Sequence, residues 1–336
     1  MFKYILRRLG FLLLTILLTS LLIFAVTQYL PGDVCRIILG REVGETALKA
    51  CRQELGLNDP LALQYFKWLG NFVTGNWGIS FSTNTPILPV VAQRIRNSLM
   101  LTFVTLVIAV PLAVGLGVIA GLNENKLVDN AISIFSLSVV GLPEFVTGLV
   151  LIQILSFELR QLGLPSLPAS SSIAPDTSFL DALPYLILPA LTATLVLLAY
   201  IARLTRAGVV EELKQHYVRT ADLKGLPRRT VIVKHVLRNA LLPTITVIAI
   251  SIGWLISGLV IIENVFNYPG LGRLLVFAID RRDNYPGLGR LLVFAIDRRD
   301  LPMMQAVVMV TVVGFASANL IADLLYGVLN PRIRLG

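Results

Sequence analysis

His216 and His235 are the only histidines of this 336-residue chain, and Cys35 and Cys51 its only cysteines. These are the side chains that most often hold transition metals or serve as nucleophile and base. The two histidines stand far apart within one basic stretch, so neither a zinc site nor a histidine general base has the residues it needs. No metal site is expected. The chain has no Gly-x-x-x-x-Gly-Lys-Ser/Thr phosphate loop and no Gly-x-Ser-x-Gly nucleophile elbow. One acid, Glu144, stands inside a long apolar run, "GLPEFVTG". A charge at membrane depth costs at least ~2.5 kcal/mol and usually faces a bundle interior or a water-filled cavity. Two readings of Glu144 stand. It is a polar contact on a path through the membrane, or a structural acid capped by helix backbone or lying near the interface after the bend at Pro143.

The elements that would position such groups are membrane helices. The chain is 55% hydrophobic and 15% charged, with a mean hydropathy of +0.77, where a soluble domain is about 25% charged. No charge interrupts residues 9–32, 97–123, 182–202, 239–262 or 301–322, and Glu144 alone interrupts 130–157. Each run reaches the ~20 residues that carry a helix across ~30 Å of hydrocarbon. The fold expected is all-α and polytopic, with six transmembrane helices. The basic start "MFKYILRR" precedes a run too long for a secretory signal, and no small-residue cleavage site follows it. It reads as a retained first helix.

Lys and Arg placement gives the orientation. Lys3, Arg7 and Arg8 open the chain. Between Arg203 and Arg238 lie nine Lys/Arg against three acids, and the tail ends "NPRIRLG". Six crossings put these three regions on one side, so both termini are expected in the cytoplasm. The net charge of +9 then reflects topology and contact with anionic membrane lipid. No nucleic-acid partner is expected, because the basic residues flank membrane spans.

The chain divides accordingly into 1–32 (tail and first span), 33–96 (an outer segment) and 97–336 (the remaining five spans). In the outer segment, Ala47, Leu48, Cys51 and Leu55 recur at helical spacing. A second helix follows Asp59 and Pro60, with Tyr65, Phe66 and Trp68 available to rest in the outer interface. Cys35 and Cys51 both fall here, where thiols tend to oxidise. A disulfide between them and a pair of unrelated buried thiols are both compatible with the sequence.

The inner segment 203–238 carries the most information. The stretch from Val209 to Lys224 predicts one helix, stopped by Gly225 and turned by Leu226 and Pro227. A second helix runs from Arg228 into the membrane. Val210, Leu213, Tyr217, Thr220, Ala221 and Lys224 share one face of the first. Ala221 is small enough to let another protein approach closely. Such a helix lies on lipid headgroups or plugs into a partner, and its physics alone does not choose.

At "YVRTADLKGL" (217–226) and "HVLRNALLP" (235–243) the chain resembles the permease subunits of bacterial ABC importers. The match is to the oligopeptide/dipeptide branch, first-permease (B-type). The opening "ILRRLGFLLLTILLTSLLIFAVTQYLPGD", the outer "LGLNDPLALQYFKWLGNFVTGNWGIS", "ENVFNYPGLGRLLVFAIDRRD" and "DLLYGVLNPRIR" extend the likeness over nearly the whole chain. The resemblance implies a type I ABC importer permease fold in the bacterial inner membrane. It implies a non-catalytic subunit that forms the translocation path with a second, homologous permease. Two cytoplasmic ATPase subunits and a periplasmic substrate-binding protein complete such an importer. The chain itself would bind no cofactor, since ATP and Mg belong to the ATPases. The ATPase-coupling residues carried over are Tyr217, Arg219, Thr220, Ala221, Lys224, Gly225 and Leu226, within the coupling loop 203–238. The branch serves dipeptides, longer peptides, glutathione, nickel chelates, opines and some oligosaccharides. The alternative class is a secondary transporter or channel not coupled to ATP. It would want ion sites at mid-membrane and repeated helices, and neither is evident.

One feature departs from the branch. Residues 267–283, "NYPGLGRLLVFAIDRRD", recur without a change at 284–300. Each unit predicts a turn and a short helix, with Leu271, Leu274, Leu275 and Ala278 on one face and Leu288, Leu291, Leu292 and Ala295 on its counterpart. Pro286 and Gly287 prevent one continuous helix. One copy is expected in the native place, with the other displaced.

Overall fold

The computed structural model describes residues 2–29, 34–39, 43–80, 83–279 and 300–329. Among these residues the regular structure is helical, apart from one isolated bridge between Ile79 and Pro86. Five helices are long and apolar enough to cross a bilayer. They lie within α1 (Phe2–Tyr29), α5 (Ile87–Leu122), α8 (Phe179–Leu213), α10 (Arg228–Ile256) and α13 (Leu301–Leu329). Short helices α2 (Val34–Leu39), α3 (Glu45–Glu54) and α4 (Leu61–Thr74) follow α1, while α11 (Val260–Val265) and α12 (Leu271–Ile279) follow α10.

The third span differs from the expected single crossing. α6 (Leu127–Val140) and α7 (Glu144–Gln161) meet at 104°. The cause is local. Gly141 weakens the helix, Pro143 has no N–H to donate, and its ring pushes Leu142 away from helical backbone. Pro143 then starts the next helix, and the N–H of Val146 returns to its carbonyl at 2.9 Å. The other long helices tolerate proline: Pro111 in α5, Pro184 and Pro189 in α8, Pro243 in α10. Neighbouring helices make that possible in a membrane. They also run past the uncharged segments, so Pro184 lies inside α8.

The chain forms two compact units. One comprises Met1–Leu12, Ser98–Pro269 and Gly314–Gly336. Its spine is α8, buried along residues such as Leu186, Ala190, Ala193, Leu197 and Ile201. Lipid offers no hydrophobic drive for helix association, so small residues that let backbones touch decide the packing. Gly117 and Gly121 of α5 face α8, where a Cβ at Gly117 would stand 2.5 Å from the Ala202 carbonyl oxygen and one at Gly121 2.7 Å from Val209. Gly208 of α8 faces α10, and a Cβ there would meet the Ala240 carbonyl oxygen at 2.4 Å. In the same unit, Arg8 pairs with Asp323 at 2.8 Å. The loop after α7 is pinned by Ser171, whose N–H donates to the Phe266 carbonyl at 2.7 Å and whose hydroxyl donates to the Tyr185 backbone carbonyl at 2.6 Å.

The other unit comprises Leu13–Asn97 and Gly270–Val313. Leu48 and Cys51 are the buried positions of α3; Ala47 and Leu55, expected on the same face, are exposed. Cys35 and Cys51 are disulfide-bonded, with Cα atoms 5.9 Å apart, the ordinary separation for such a bridge. Tyr65 of α4 turns inward, sharing a 2.8 Å hydrogen bond with Ser20 and an edge-on contact with Phe24 of α1. Phe66 faces outward, 67% exposed.

The first copy of the repeat supplies α12. Leu271, Leu274 and Ala278 are buried against Ile87, Val91, Met303, Ala306 and Val307, with Leu275 partly buried beside them. The last residue of the second copy, Asp300, is buried and accepts a hydrogen bond from Ser80. Its other carboxylate oxygen takes the Met303 N–H at 3.3 Å, the N-cap contact of α13. Residues 280–299, including the second helix face at Leu288 to Ala295, lie outside the described residues, as does the tail after Leu329.

Two outcomes follow. Free-thiol labelling of unreduced, denatured protein should find neither Cys35 nor Cys51; labelling of both would refute the bridge. Deleting residues 283–299 keeps α12 and Asp300 and restores a single repeat. The link between Ile279 and Asp300 shortens from 20 residues to three, which lowers its closure cost by roughly 2 kcal/mol, so the melting temperature should not fall. A large drop would show that the extra residues carry structure.

Candidate functional site: the coupling loop

α8 ends at Leu213, and Lys214 and Gln215 turn the chain before α9 (His216–Leu223). The expected continuous helix from Val209 to Lys224 is therefore two. Neither Lys214 nor Gln215 is a helix breaker by type. The turn is made by packing, because it seats Val218 and Ala221 on a core of Val209, Val231, Val236 and Ala240. Val218 is 2% exposed and Ala221 7%. The shared face predicted through Val210, Thr220 and Lys224 is thus replaced by one through Val218 and Ala221. Ala221 faces the chain's own bundle, and its small size lets α9 lie close to α8 and α10 rather than offering a gap to a partner.

Gly225 stops the helix as its type suggests. Its φ of +72° is a left-handed conformation that glycine adopts without penalty. The N–H groups of Lys224, Gly225 and Leu226 close the last turn on Thr220, Asp222 and Ala221 carbonyls at 3.0–3.3 Å. Pro227 then opens α10, whose stretch Val231–Val236 is a wide, π-type turn.

Tyr217 ties the loop to both long helices. Its hydroxyl donates to the Glu212 carboxylate at the end of α8 and accepts from the Asn239 amide of α10 at 3.2 Å. Burial, with help from the Glu212 carboxylate, raises the Tyr217 hydroxyl above the usual tyrosine range. It therefore stays a neutral donor, and this stabilisation is present at neutral pH and lost only as pH rises through that raised value. Lys214 pairs with Glu124 of the inner turn at 3.0 Å. Arg206 of α8 grips Asp129 of α6 through two bonds of 2.5 and 2.6 Å.

The outside of α9 and its end carries His216, Arg219, Thr220, Asp222, Lys224 and Leu223, the last 81% exposed. Leu226 adds a second apolar tip at 38%. The surface is a pair of leucines among charges, Arg219 and Lys224 on one hand and Asp222, paired with Arg228 at 3.4 Å, on the other. Leu223 carries a signal that sequence reasoning passed over: it stands two positions from Ala221, on the opposite side of the helix.

The structure does not bring Glu144 to this loop. Glu144 begins α7 at the far end of α6, about 21 Å along that helix from the inner turn, and is half-buried with Oε2 unbonded. Two further acids were missed. Asp129 and Glu263 are both 1% exposed. Ser98 donates to Glu263 at 2.6 Å. Each abuts an apolar run, which is the signal available for it. Among the described residues there is no cluster of three or more His, Cys, Asp or Glu side chains able to hold a metal.

The sequence profile of the binding-protein-dependent transport system inner membrane component family matches residues 113–284, and its N-terminal companion matches residues 1–102. The chain belongs to that family. The permease is 35% identical to the glutathione transport system permease protein GsiC of Escherichia coli K12 over 334 residues, 99% of each chain. The GsiC proteins of Shigella dysenteriae serotype 1 and Shigella boydii serotype 4 match at 35% and 34% over the same coverage. A solved structure, an amino acid ABC transporter with histidines, aligns with 74% of the permease and 94% of its own chain, at 14% identity and a TM-score of 0.46. The protein is thus a multi-pass inner-membrane permease subunit of an ABC importer. The type I permease fold goes with that family. Membership implies a partner permease, an ATPase and a periplasmic binding protein, and sets the chain apart from secondary transporters and channels.

Replacing Tyr217 by Phe should cost about 1 kcal/mol. Amide hydrogen exchange across residues 216–223 of the permease should speed up while that of the long helices stays the same. Unchanged exchange would mean that the hydroxyl is not what ties α9 down.

Proposed function

We propose that the permease forms a translocation path with a second, homologous but non-identical permease and carries glutathione or a short peptide delivered by a periplasmic binding protein. The substrate rests on the relatives named for glutathione transport. ATP and Mg act on two cytoplasmic ATPase subunits; this chain performs no catalysis and needs no cofactor of its own.

One observation supports the coupling role above the others. α9 is bound to α8 and α10 through Tyr217, Val218 and Ala221, while Leu223 and Leu226 stand exposed among Arg219, Lys224 and the Asp222–Arg228 pair. A helix packed on its inner face and carrying two exposed leucines among charges on its outer face is built to receive a partner and pass on its movement. In the proposed cycle, closure of the ATPases displaces α9, and α8 and α10 follow as rigid bodies to open the path outward. Arg219, Thr220, Lys224 and Leu226 belong to the docking surface, joined by Leu223. Tyr217, Ala221 and Gly225 shape and hold the helix that presents it. Glu144 is proposed as a polar group on the path, toward the partner permease.

Leu223→Asp tests this. The side chain is exposed, so the isolated permease should fold as before, while ATPase subunits should no longer co-purify and uptake of labelled glutathione should fall more than tenfold, as for loss of a central interface anchor. Ala221→Arg should instead loosen the loop itself. Normal ATPase association and uptake with Leu223→Asp would overturn the docking surface. If uptake of a labelled dipeptide were lost in parallel but glutathione were never carried by the wild type, the substrate assignment alone would fall.

A further inference from the structure

A cavity of about 290 Å³ lies between residues 132–140 of α6 and the inner ends of α5 and α8. Its walls are mainly apolar, formed by side chains such as Ala120, Leu137, Val140 and Ala202, with Ser133 and Ser136 of α6 and Arg203 and Arg206 of α8 also lining it. The two arginines are not equivalent. Arg206 is neutralised by Asp129, which it holds through both bonds described above. Arg203 is exposed, meets no carboxylate among the described residues, and is steadied by the ring of Tyr200 at 5.9 Å. Adding the charges of Arg203, Arg206 and Asp129 leaves the site with one uncompensated positive charge.

Depth decides what such a site can meet. Residues 182–202 of α8 are uncharged, and Arg203 is the first charge after them. Its guanidinium therefore stands where hydrocarbon gives way to headgroups, on the side that the Lys and Arg bias makes cytoplasmic. An apolar hollow opening into the acyl region, with one unpaired guanidinium at headgroup level, matches a molecule with an apolar chain and one anionic phosphate. Basic pockets between membrane helices on the cytoplasmic side are suited to acidic headgroups.

We propose that this cavity binds an anionic phospholipid of the cytoplasmic leaflet, one whose phosphate has no amine beside it. An acyl chain lies between α6 and α8, and the phosphate rests on Arg203. The bound lipid fills the space behind the Arg206–Asp129 pair and so braces the α6–α8 contact.

The experiment uses the permease in its assembled importer, reconstituted in nanodiscs. Phosphatidylglycerol with a photoactivatable group in one acyl chain is the probe, and cross-linked peptides are mapped. Labelling should fall on residues 132–140 and 199–206. Unlabelled phosphatidylglycerol should compete, and phosphatidylcholine and glutathione should not. Arg203→Ala should lower labelling about fivefold, from the ~1 kcal/mol that one basic residue contributes at an anionic membrane surface, and Arg203→Lys should restore most of it. Equal labelling by a phosphatidylcholine probe, or no effect of Arg203→Ala in a complex that still assembles, would overturn the proposal. Competition by glutathione would make the cavity part of the solute path instead. Labelling of the isolated permease but not of the complex would mean that a protein partner covers it.

Discussion

Three backbone contacts hold the register of the helices around α8. In a membrane the lipid chains are as apolar as leucine, so apolar side chains alone give helices little reason to meet. Gly208 against Ala240, and Gly117 and Gly121 against residues 202–209, allow backbones to come within atomic contact. At each point a side chain would displace a neighbouring carbonyl or a β-branched residue. These contacts fix how α5, α8 and α10 slide and rotate against one another. The position of the loop between α8 and α10 follows from them, and so does that of the Val209–Ala240 core on which α9 rests.

The spans were legible in the sequence because a run of about twenty uncharged residues has few other uses. Direction was not. Hydropathy across residues 130–157 reads the same whether the chain runs straight or turns through 104° at Gly141–Pro143. The glycine and proline were visible as a weak point, but neighbours set the angle. The same division holds in the coupling loop. Gly225 was legible as a stop, because its conformation is a property of the residue. The break at Lys214–Gln215 was not, because both residues suit a helix and only the seating of Val218 and Ala221 turns the chain there. Smallness at Ala221 signals a close approach without saying to what. Asp129 and Glu263 were overlooked for a related reason: their partners, Arg206 and Ser98, are distant in sequence.

The repeat shows how anchoring can settle what identity of sequence hides. Either copy could have supplied the helix after Tyr268, since their patterns are the same. The chain before α12 is fixed by Phe266 and Tyr268, both fully buried, so the helix that follows directly is the first copy's. The chain after the repeat is fixed by Leu301 and the helix it begins. Its cap must come from the residue just before, which belongs to the second copy. Among the described residues, α12 is therefore supplied by the first copy and the cap of α13 by the last residue of the second.

A load applied at Leu223 has a defined route. Tyr217 passes it by hydrogen bonds to the end of α8 and to Asn239 of α10, while Val218 and Ala221 pass it by packing. From α8 it reaches α6 through Arg206 and Asp129, and the inner turn through Lys214 and Glu124. Along α6 the helical hydrogen bonds run unbroken until Gly141. There the N–H of Leu142 turns to Val139, and Pro143 has none to give. Contacts thus run without a gap from α9 to that point, and in the proposed cycle a displacement of the inner helices would be taken up at the Gly141–Pro143 break. Glu144 stands just beyond it, with one oxygen buried and unbonded, so the polar group at membrane depth sits where movement of the inner end would first alter its surroundings.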